Sequence, residues 1–251
     1  LYGKGYIYDT LLDNQYKISL KSFYQINPIQ VEKLYQTAID LAHLTKESTV
    51  LDAYCGIGTI TLSLAKHVKK VYGVEVVPQA IEDAKNNALL NKIDNAEFVC
   101  DDAGKYMVEL VKKNTHLDVV FVDPPRKGCS EEFLEHLLQA NPKEIIYISC
   151  DVATQARDAK YLNEHGYTIT HCQPVDMFPH TFHVETVCLL SKLKTKQHIK
   201  IESCTDELDL TASESKATYQ EIKQYVLEKY GFKVSSLNIA QTKTKCGIIE
   251  R

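Results

Sequence analysis

Strand and helix patterns alternate regularly between residues 49 and 190, and this alternation constrains the fold more than any other feature. Short apolar runs, which are typical of buried strands, are followed by longer segments with helical spacing. Residues 49–53 begin the series, and residues 117–122 form a strand of the buried type that Pro124 and Pro125 end. Alternation of this kind predicts an α/β protein in which helices cover both faces of a parallel sheet.

The last two predicted strands, residues 167–173 and 184–190, break this alternation because no helix lies between them. A short segment with Pro174 and Pro179 joins them, so the final strand is expected to run antiparallel to its neighbour. A mostly parallel sheet with one reversed strand at the end of the order is the shape of the Rossmann-like class I methyltransferase fold.

The sequence divides into a large domain and a small appendage. Residues 1–193 form the predicted methyltransferase domain, and residues 1–27 contribute one or two strands that lead into it. A lysine-rich linker follows at residues 192–200, and residues 194–251 are predicted to form a small α+β appendage with a helix over residues 213–230. No function is assigned to this appendage.

Eight cysteines are scattered through 251 residues, and no C-x-x-C pair occurs. The spacing therefore predicts no metal site, neither zinc nor iron–sulfur, and free thiols without a secretory signal indicate a reducing cytoplasm. No run of about 18 apolar residues is present, so no segment is predicted to span a membrane. Because the chain begins with Leu1 rather than methionine, we expect it to be part of a longer protein.

The net charge of −4 is divided unevenly along the chain. Residues 194–251 carry 10 basic and 8 acidic side chains, which leaves a net charge of −6 for residues 1–193. Nucleic-acid-binding proteins usually carry a basic footprint. The charge of the large domain therefore argues against nucleic-acid binding, except through a local patch.

A glycine-containing loop at residues 52–59 lies between a predicted strand and a predicted helix. Gly56 and Gly58 allow a cofactor to lie against the backbone, and the start of the helix supplies free N–H groups. A dinucleotide fingerprint requires a third glycine where this chain has Thr61, which argues against a nicotinamide-linked oxidoreductase. Asp52 would repel a pyrophosphate but suits the amine and sulfonium of S-adenosylmethionine.

Two further acidic residues are predicted at the carboxyl ends of the next strands. Glu75 ends the second strand, 19 residues after Gly56, where its carboxylate can accept hydrogen bonds from a ribose diol. Asp102 is placed at the end of the third strand, where it can meet the amine of an adenine. Gly56, Glu75 and Asp102 together predict a binding site for S-adenosylmethionine.

The fourth strand ends in the sequence Asp123-Pro124-Pro125-Arg126. In this fold, the loop at this place faces the methyl group of the cofactor. Enzymes that methylate an exocyclic amine usually carry an aromatic ring after the two prolines, and this chain carries Arg126 instead. The sequence therefore argues against amine methylation, and we take Arg126 as a substrate-binding residue.

Cys150 follows the fifth strand and is therefore placed at the edge of the sheet where active sites of open α/β proteins lie. A thiolate that adds to C6 of a uracil gives C5 carbanion character, and C5 can then accept a methyl group. A base must afterwards remove the hydrogen from C5 so that the thiol can leave. Glu185, in the last strand, is the candidate for this base.

These residues closely resemble those of the RNA uracil-5-methyltransferases, which make 5-methyluridine in transfer RNA and 23S ribosomal RNA. The resemblance covers about residues 1–193 and rests on five motifs in order, at residues 23–28, 51–58, 123–128, 149–151 and 183–186. The resemblance implies that Cys150 is the nucleophile and Glu185 the proton acceptor. It also implies a set of cofactor-binding residues, which are Gln25, Tyr54, Glu75 and Asp123.

The resemblance implies further properties of the whole protein. We expect S-adenosylmethionine as the cofactor, RNA as the partner, with 23S ribosomal RNA as the substrate, and a monomer that acts in the cytoplasm on ribosomal RNA processing. Full-length members of the family carry an amino-terminal β-barrel that binds RNA, and many carry an iron–sulfur cluster bound by four cysteines. Neither feature is present in this sequence, so a cluster is expected only in a region that precedes it.

Several alternatives remain open. The substrate could be transfer RNA. An RNA cytosine-5-methyltransferase would also use a cysteine adduct, but those enzymes carry a cysteine just after the proline of the fourth strand, where this chain has Pro125 and Arg126. A protein that only binds RNA on a cofactor-type fold would not need Cys150 and Glu185 together.

Overall fold

The computed structural model describes residues 5–20, 22–181, 184–192 and 224. The predicted linker beyond Lys192 and the predicted appendage with its helix lie outside these residues, apart from Gln224, so the division into two domains stays a prediction. Among the described residues, no helix is long and apolar enough to cross a membrane.

Nine strands and six helices make up the part of the chain that the structure describes. The strands are β1 (Tyr6–Leu11), β2 (Asn14–Ser19), β3 (Thr49–Asp52), β4 (Lys70–Glu75), β5 (Ala96–Cys100), β6 (Val119–Val122), β7 (Glu144–Ser149), β8 (Tyr167–Val175) and β9 (Glu185–Lys192). The helices are α1 (Pro28–Leu41), α2 (Thr59–Ala65), α3 (Pro78–Leu90), α4 (Ala103–Lys112), α5 (Glu131–Ala140) and α6 (Val152–Glu164). The predicted alternation of strands and helices is confirmed.

Seven strands form one sheet in the order β5-β4-β3-β6-β7-β9-β8. The first five strands in this order pair in parallel, and β9 pairs antiparallel with both β7 and β8. The α/β class with one reversed strand is therefore confirmed. The reversed strand is the last along the chain, yet it lies inside the sheet rather than at its edge. Burial explains this position, because residues 185–190 of β9 are all buried whereas residues 169–174 of β8 are exposed.

Two hydrophobic clusters cover the two faces of the sheet. One cluster joins the sheet to buried side chains of α1, α2 and α3, such as Leu34, Leu62 and Ile81. The other cluster joins it to α4, α5 and α6 through residues such as Met107 and Leu137. Each aliphatic side chain that is fully buried in this way stabilises the fold by about 1.5–3 kcal/mol. The two layers hold the strand ends, and the loops that follow them, in fixed positions.

Strands β1 and β2 form a separate hairpin that is attached to the large sheet through α3. The side-chain amide of Asn91 exchanges two hydrogen bonds with the backbone of Gln15, at 2.8 and 2.7 Å. Asn87 bonds the backbone of Lys17 in the same way, at 2.8 and 3.4 Å. Asn87 and Asn91 are four residues apart in the helix, and Lys17 and Gln15 are two residues apart in the strand. Both spacings correspond to about 6 Å, so the two asparagine side chains can bond the edge of β2 as a neighbouring strand would. The attachment places the following segment, which contains Gln25, beside the sheet.

The predicted helix start at Asn27 is confirmed, because its side chain accepts a hydrogen bond from the N–H of Gln30 at 3.2 Å and Pro28 follows. The expected position of Asp102 is wrong by two residues, since β5 ends at Cys100. Asp102 instead caps α4, and its Oδ1 accepts from the N–H of Lys105 at 3.0 Å. The first turn of α4 needs a hydrogen-bond acceptor, and the carboxylate of Asp102 supplies it. Asp102 therefore belongs to the start of the helix rather than to the strand before it.

Candidate active site

The predicted site residues gather along one edge of the sheet, at the carboxyl ends of the parallel strands. The loop after β3, the end of β4, the start of α4, the loop after β6 and the turn after β7 each contribute. Because β9 runs in the opposite direction, its first residue, Glu185, lies at the same edge. The ligand sites of open α/β sheets lie at this edge, so the sheet brings together residues that are far apart in sequence.

The loop after β3 needs glycine at two positions. Gly56 and Gly58 have φ values of 51° and 86°, in the left-handed region that other residues rarely adopt. A Cβ atom at Gly58 would lie 2.9 Å from the ring of Phe98 in the neighbouring β5, and one at Gly73 in β4 would lie 2.7 Å from the same ring. The ring of Phe98 therefore packs directly against the backbone of both segments and fixes the path of the loop.

Asp52, at the end of β3, is fully buried, and only one of its two carboxylate oxygens has a hydrogen-bond partner among the described residues. Its Oδ2 accepts a hydrogen bond from the hydroxyl of Thr61 at 2.6 Å, whereas its Oδ1 has no partner among the described residues. Burial raises the pKa of Asp52 to about 7. A buried acceptor without a partner is rare in folded proteins, and a cationic ligand group would satisfy it. The atoms present therefore fit the amine of S-adenosylmethionine.

In the sequence, Thr61 is noted only because it stands where a dinucleotide fingerprint has its third glycine. The structure shows a contact that this side chain makes. Its side chain lies fully buried and orients the carboxylate of Asp52. A glycine at this position would remove the side-chain hydroxyl that donates to Oδ2 of Asp52. The departure from the dinucleotide pattern is thus the signal that could have predicted this contact.

The acidic residues predicted at the ribose and the adenine both lie at the sheet edge. Glu75 ends β4, and its Oε1 accepts from the N–H of Val77 at 3.0 Å, which leaves the second oxygen for a ligand hydroxyl. Burial, and then the charges of Cys129 and Asp102, raise the pKa of the Tyr54 phenol, so Asp102 lies near Tyr54. Glu75 thus lies at the end of β4, which pairs with β3, and Asp102 lies at the start of α4, just after β5, the next strand outwards.

Two aromatic residues that the sequence did not single out complete the walls of this region. The ring of Phe133, from α5, lies 5.4 Å from the ring of Tyr54 and is tilted by 43°. Tyr35, from α1, places its hydroxyl 3.4 Å from Oγ1 of Thr59, and burial followed by Asp123 and Asp52 raises its pKa. In the sequence, both residues look like ordinary core positions of amphipathic helices, so nothing in the pattern marks them.

Gln25 lies in a small cleft before α1, which it lines together with Tyr24, Tyr35 and Thr59. Tyr35 also lies near Asp52, because the charge of the Asp52 carboxylate is one of the causes that raise the pKa of Tyr35. The cleft therefore opens beside the glycine loop. The structure places Gln25 at the border of the predicted cofactor region rather than in its centre.

Cys150 and Glu185 are brought together by the pairing of β7 with β9. Ser149 and Thr186 are opposite each other in this antiparallel pair, so the residues next to them, Cys150 and Glu185, come from adjacent chain segments. Cys150 is half-buried and Glu185 is 5% exposed. The proposed nucleophile and the proposed base therefore lie at one location.

The charges around Cys150 oppose one another. Burial raises the pKa of the Cys150 thiol, and Glu185 and Asp123 raise it further, whereas the guanidinium of Arg126 lowers it through its charge. Burial also raises the pKa of Glu185, and Arg126 again acts in the opposite direction. Burial, then Glu185 and Asp52, raise the pKa of Asp123 to about 8. Arg126 is thus the cation that favours the charged forms of both Cys150 and Glu185.

Metal ligands are not clustered in this region. Within the part of the chain that the structure describes, no group of three His, Cys, Asp or Glu side chains is arranged to hold a metal ion.

Comparison with known proteins identifies the family. A family model described as tRNA (uracil-5-)-methyltransferase matches residues 4–193. The chain belongs to this family. A protein of Streptococcus mutans named as an uncharacterized RNA methyltransferase is 55% identical over 192 residues, which are 76% of this chain and 43% of that protein. A Staphylococcus aureus protein with the same kind of name is 56% identical over 191 residues, which are 76% of this chain and 42% of that protein.

A solved structure supports the same assignment. The tRNA (uracil-54, C5)-methyltransferase of Pyrococcus abyssi, determined in complex with S-adenosyl-L-homocysteine, is 36% identical with a TM-score of 0.66, over 75% of this chain and 45% of that chain. The chain therefore spans less than half the length of these relatives. A methyltransferase of Agrobacterium tumefaciens that depends on S-adenosylmethionine is 14% identical with a TM-score of 0.60, which shows the shared fold alone. The family resemblance and the class I methyltransferase fold predicted from the sequence are both confirmed.

Proposed function

We propose that this chain is the catalytic part of an S-adenosylmethionine-dependent enzyme that methylates C5 of uridine in 23S ribosomal RNA. The observation that carries the proposal is the meeting of Cys150 and Glu185 at the sheet edge, where β7 pairs with β9 and β6 is the next strand. A protein that only binds RNA would need neither a half-buried thiol nor a buried carboxylate at this place. Membership of the uracil-5-methyltransferase family supports the same reaction.

The cofactor proposal rests on the residues at the ends of β3, β4 and β5. Asp52 holds an unpartnered buried oxygen for the amine, Glu75 offers an oxygen to the ribose hydroxyls, and Asp102 borders the adenine side. Tyr54, Gly56, Gln25 and Asp123 surround the same region. The P. abyssi relative that binds S-adenosyl-L-homocysteine supports this assignment. When bound, S-adenosylmethionine supplies the methyl group.

The proposed reaction assigns one bond change to each catalytic residue. The Cys150 thiolate forms a bond to C6 of the uracil, and the electron pair of the ring double bond moves towards C5 and O4. After C5 has gained the methyl group, the Glu185 carboxylate takes the C5 hydrogen as a proton, and the returning electron pair expels the Cys150 thiolate. Burial raises the pKa of Glu185, which makes it a stronger base for this step.

Transfer RNA is the second candidate substrate, because the P. abyssi relative is named for uracil 54 of transfer RNA. Mass spectrometry of nucleosides from cells that lack the gene separates the candidates. We expect 5-methyluridine to disappear from 23S ribosomal RNA and to return with the wild-type full-length gene but not with its Cys150→Ala variant. Loss from transfer RNA instead would establish the second candidate. Loss of 5-methylcytidine with 5-methyluridine unchanged would refute uracil as the target.

A further inference from the structure

Helix α6 binds the loop that follows β6. Thr154, Arg157 and Asp158 lie on one face of this helix, because they are three and four residues apart. The hydroxyl of Thr154 donates to the carbonyl oxygen of Arg126 at 3.1 Å. One nitrogen of Arg157, Nη2, donates to the carbonyl oxygens of Lys127 and Cys129 at 3.0 and 3.2 Å. The helix therefore contacts the backbone of residues 126, 127 and 129.

Asp158 is the buried anchor of this arrangement, with a side chain that is 1% exposed. Its Oδ2 accepts from the N–H of Cys129 at 2.8 Å and from the hydroxyl of Tyr147 at 2.7 Å. Its Oδ1 accepts from Nε of Arg157 at 2.8 Å and lies 2.7 Å from Nη2. A buried carboxylate is stable only with such a full set of partners. Arg157 is thus fixed by Asp158 while it holds the loop.

The loop has little freedom against this helix. Gly128 has a φ of 74°, and a Cβ atom there would lie 2.6 Å from Oδ2 of Asp158. Arg126, at the beginning of the same loop, lies close enough to Cys150 for its guanidinium to lower the pKa of the thiol, and Cys150 lies two residues before the start of α6. The helix therefore connects the nucleophile to the cation beside it through two routes, the chain itself and the bonds of Arg157.

We propose that Arg157 is a positioning residue for the methylation reaction, because it holds the loop that places the Arg126 guanidinium beside Cys150 and Glu185. The proposal rests on the proposed function for its effect on turnover. The charged groups that face Cys150 are Arg126 and Asp123 from the β6 loop and Glu185 from β9. Asp151, which caps α6, is the charged neighbour in the chain.

Arg157→Lys is the discriminating variant. It keeps the positive charge but loses the planar fork, so one ammonium group cannot bond Asp158 and both loop carbonyls in the same geometry. The side chain of Arg157 is 57% exposed, so the variant is expected to fold. Lys160→Ala is the matched control, because Lys160 lies three residues further along α6 and contacts Glu164 rather than the loop.

The first measurement is the rate at which iodoacetamide alkylates Cys150 in the full-length protein, followed by mass spectrometry as a function of pH, with the exposed Cys100 as internal reference. Iodoacetamide reacts with the thiolate. In Arg157→Lys the pKa of Cys150 is expected to rise and its alkylation rate to fall on the order of threefold at a pH below that pKa. Lys160→Ala is expected to react like the wild type.

A double variant shows whether Arg157 acts through Arg126. Arg126→Gln alone should slow the alkylation of Cys150 at least as much as Arg157→Lys, and the combined variant should be no slower than Arg126→Gln, since both changes remove the same interaction. Additive effects would overturn the proposal, because Arg157 would then act on Cys150 by another route. An unchanged alkylation profile in Arg157→Lys would overturn it as well.

Turnover gives an independent readout. With RNA and S-adenosylmethionine, Arg157→Lys is expected to lower kcat, to leave KM for RNA nearly unchanged, and to move the acidic limb of the pH profile of kcat/KM upwards. A rise in KM alone would show that Arg157 only contacts RNA, and would overturn the positioning role. If the wild type methylates no uridine, the proposed function fails, whereas the alkylation result still decides the positioning of Arg126.

Discussion

Replacing the carboxylate of Asp52 with an amide is expected to change two properties in opposite directions. The free energy of unfolding should rise, and the affinity for the cofactor should fall. Asp52 is fully buried, one of its oxygens has no partner among the described residues, and burial raises its pKa from 3.8 to about 7. The charged form is therefore unfavourable in the folded chain without a ligand. Asp52→Asn removes this charge and keeps an oxygen that can accept from Thr61.

The magnitude follows from linkage. A folded-state pKa that is raised above the unfolded value gives a contribution to stability that is present at low pH and is lost as the pH rises towards the folded value. Compared with a chain that has an uncharged side chain at this position, the wild type begins to lose free energy of unfolding near pH 4. The loss is complete above about pH 7, where it amounts to about 4 kcal/mol. Between pH 5 and pH 8 the free energy of unfolding of Asp52→Asn, minus that of the wild type, is expected to increase by about 3 kcal/mol.

Urea unfolding at the two pH values, with and without S-adenosylhomocysteine, measures both effects. The ligand amine is expected to remove the advantage of Asp52→Asn at pH 8, and the affinity of the variant is expected to be weaker by about 1.5–3 kcal/mol, the range for hydrogen bonds to charged groups. Asp13→Asn is the matched control, because its side chain is 92% exposed and little change is expected at either pH. A stability difference that does not depend on pH would refute the reasoning, and so would equal affinity for the ligand.

Other substitutions test the remaining parts of the site. Glu185→Gln is nearly isosteric but cannot accept the C5 proton, so it is expected to accumulate RNA joined covalently to Cys150, which a denaturing gel detects, whereas Cys150→Ala is expected to give no such band. Normal turnover of Glu185→Gln would show that another base acts. Glu75→Ala is expected to weaken cofactor binding by about 1–3 kcal/mol in calorimetry, and tighter or equal binding of NAD would contradict the cofactor assignment. Asn87→Ala is expected to lower the free energy of unfolding by about 1–3 kcal/mol, because it leaves the backbone of Lys17 without its partner, and an unchanged urea midpoint would contradict this account of the hairpin.

The sequence predicted the sheet and the position of Cys150 and Glu185 at its edge because local patterns determine both. Apolar runs of strand length gave the strands, and the topology of a parallel sheet then required the residues after these strands to meet at one edge. Cys150 and Glu185 could be placed together on that ground alone, since one follows β7 and the other begins the reversed β9. The position of β9 between β7 and β8 could not be predicted in this way. It depends on how both neighbouring strands pack, and the apolar pattern of one strand does not contain this information.

The contacts that depend on three-dimensional packing could not be predicted. Tyr35 and Phe133 occupy helix positions with ordinary apolar spacing, so their approach to the site has no local signal. The same holds for Asn87, which reads as a polar residue on a helix but is fully buried against β2. Asp102 was misplaced because strand ends and helix caps favour the same short acidic side chain. In each case a neighbour distant in sequence decides the role.

The electrostatics around Cys150 indicate when its thiolate can form. In the free chain, burial, Glu185 and Asp123 all favour the neutral thiol, and Arg126 opposes them. A thiol that is mostly neutral is protected from alkylation and oxidation, because the thiolate is the reactive form. The thiolate fraction then depends on how closely Arg126 approaches, so small displacements of the loop after β6 change reactivity more than they change stability. Helix α6 begins just after Cys150 and also binds the backbone of that loop, so one helix contacts both segments.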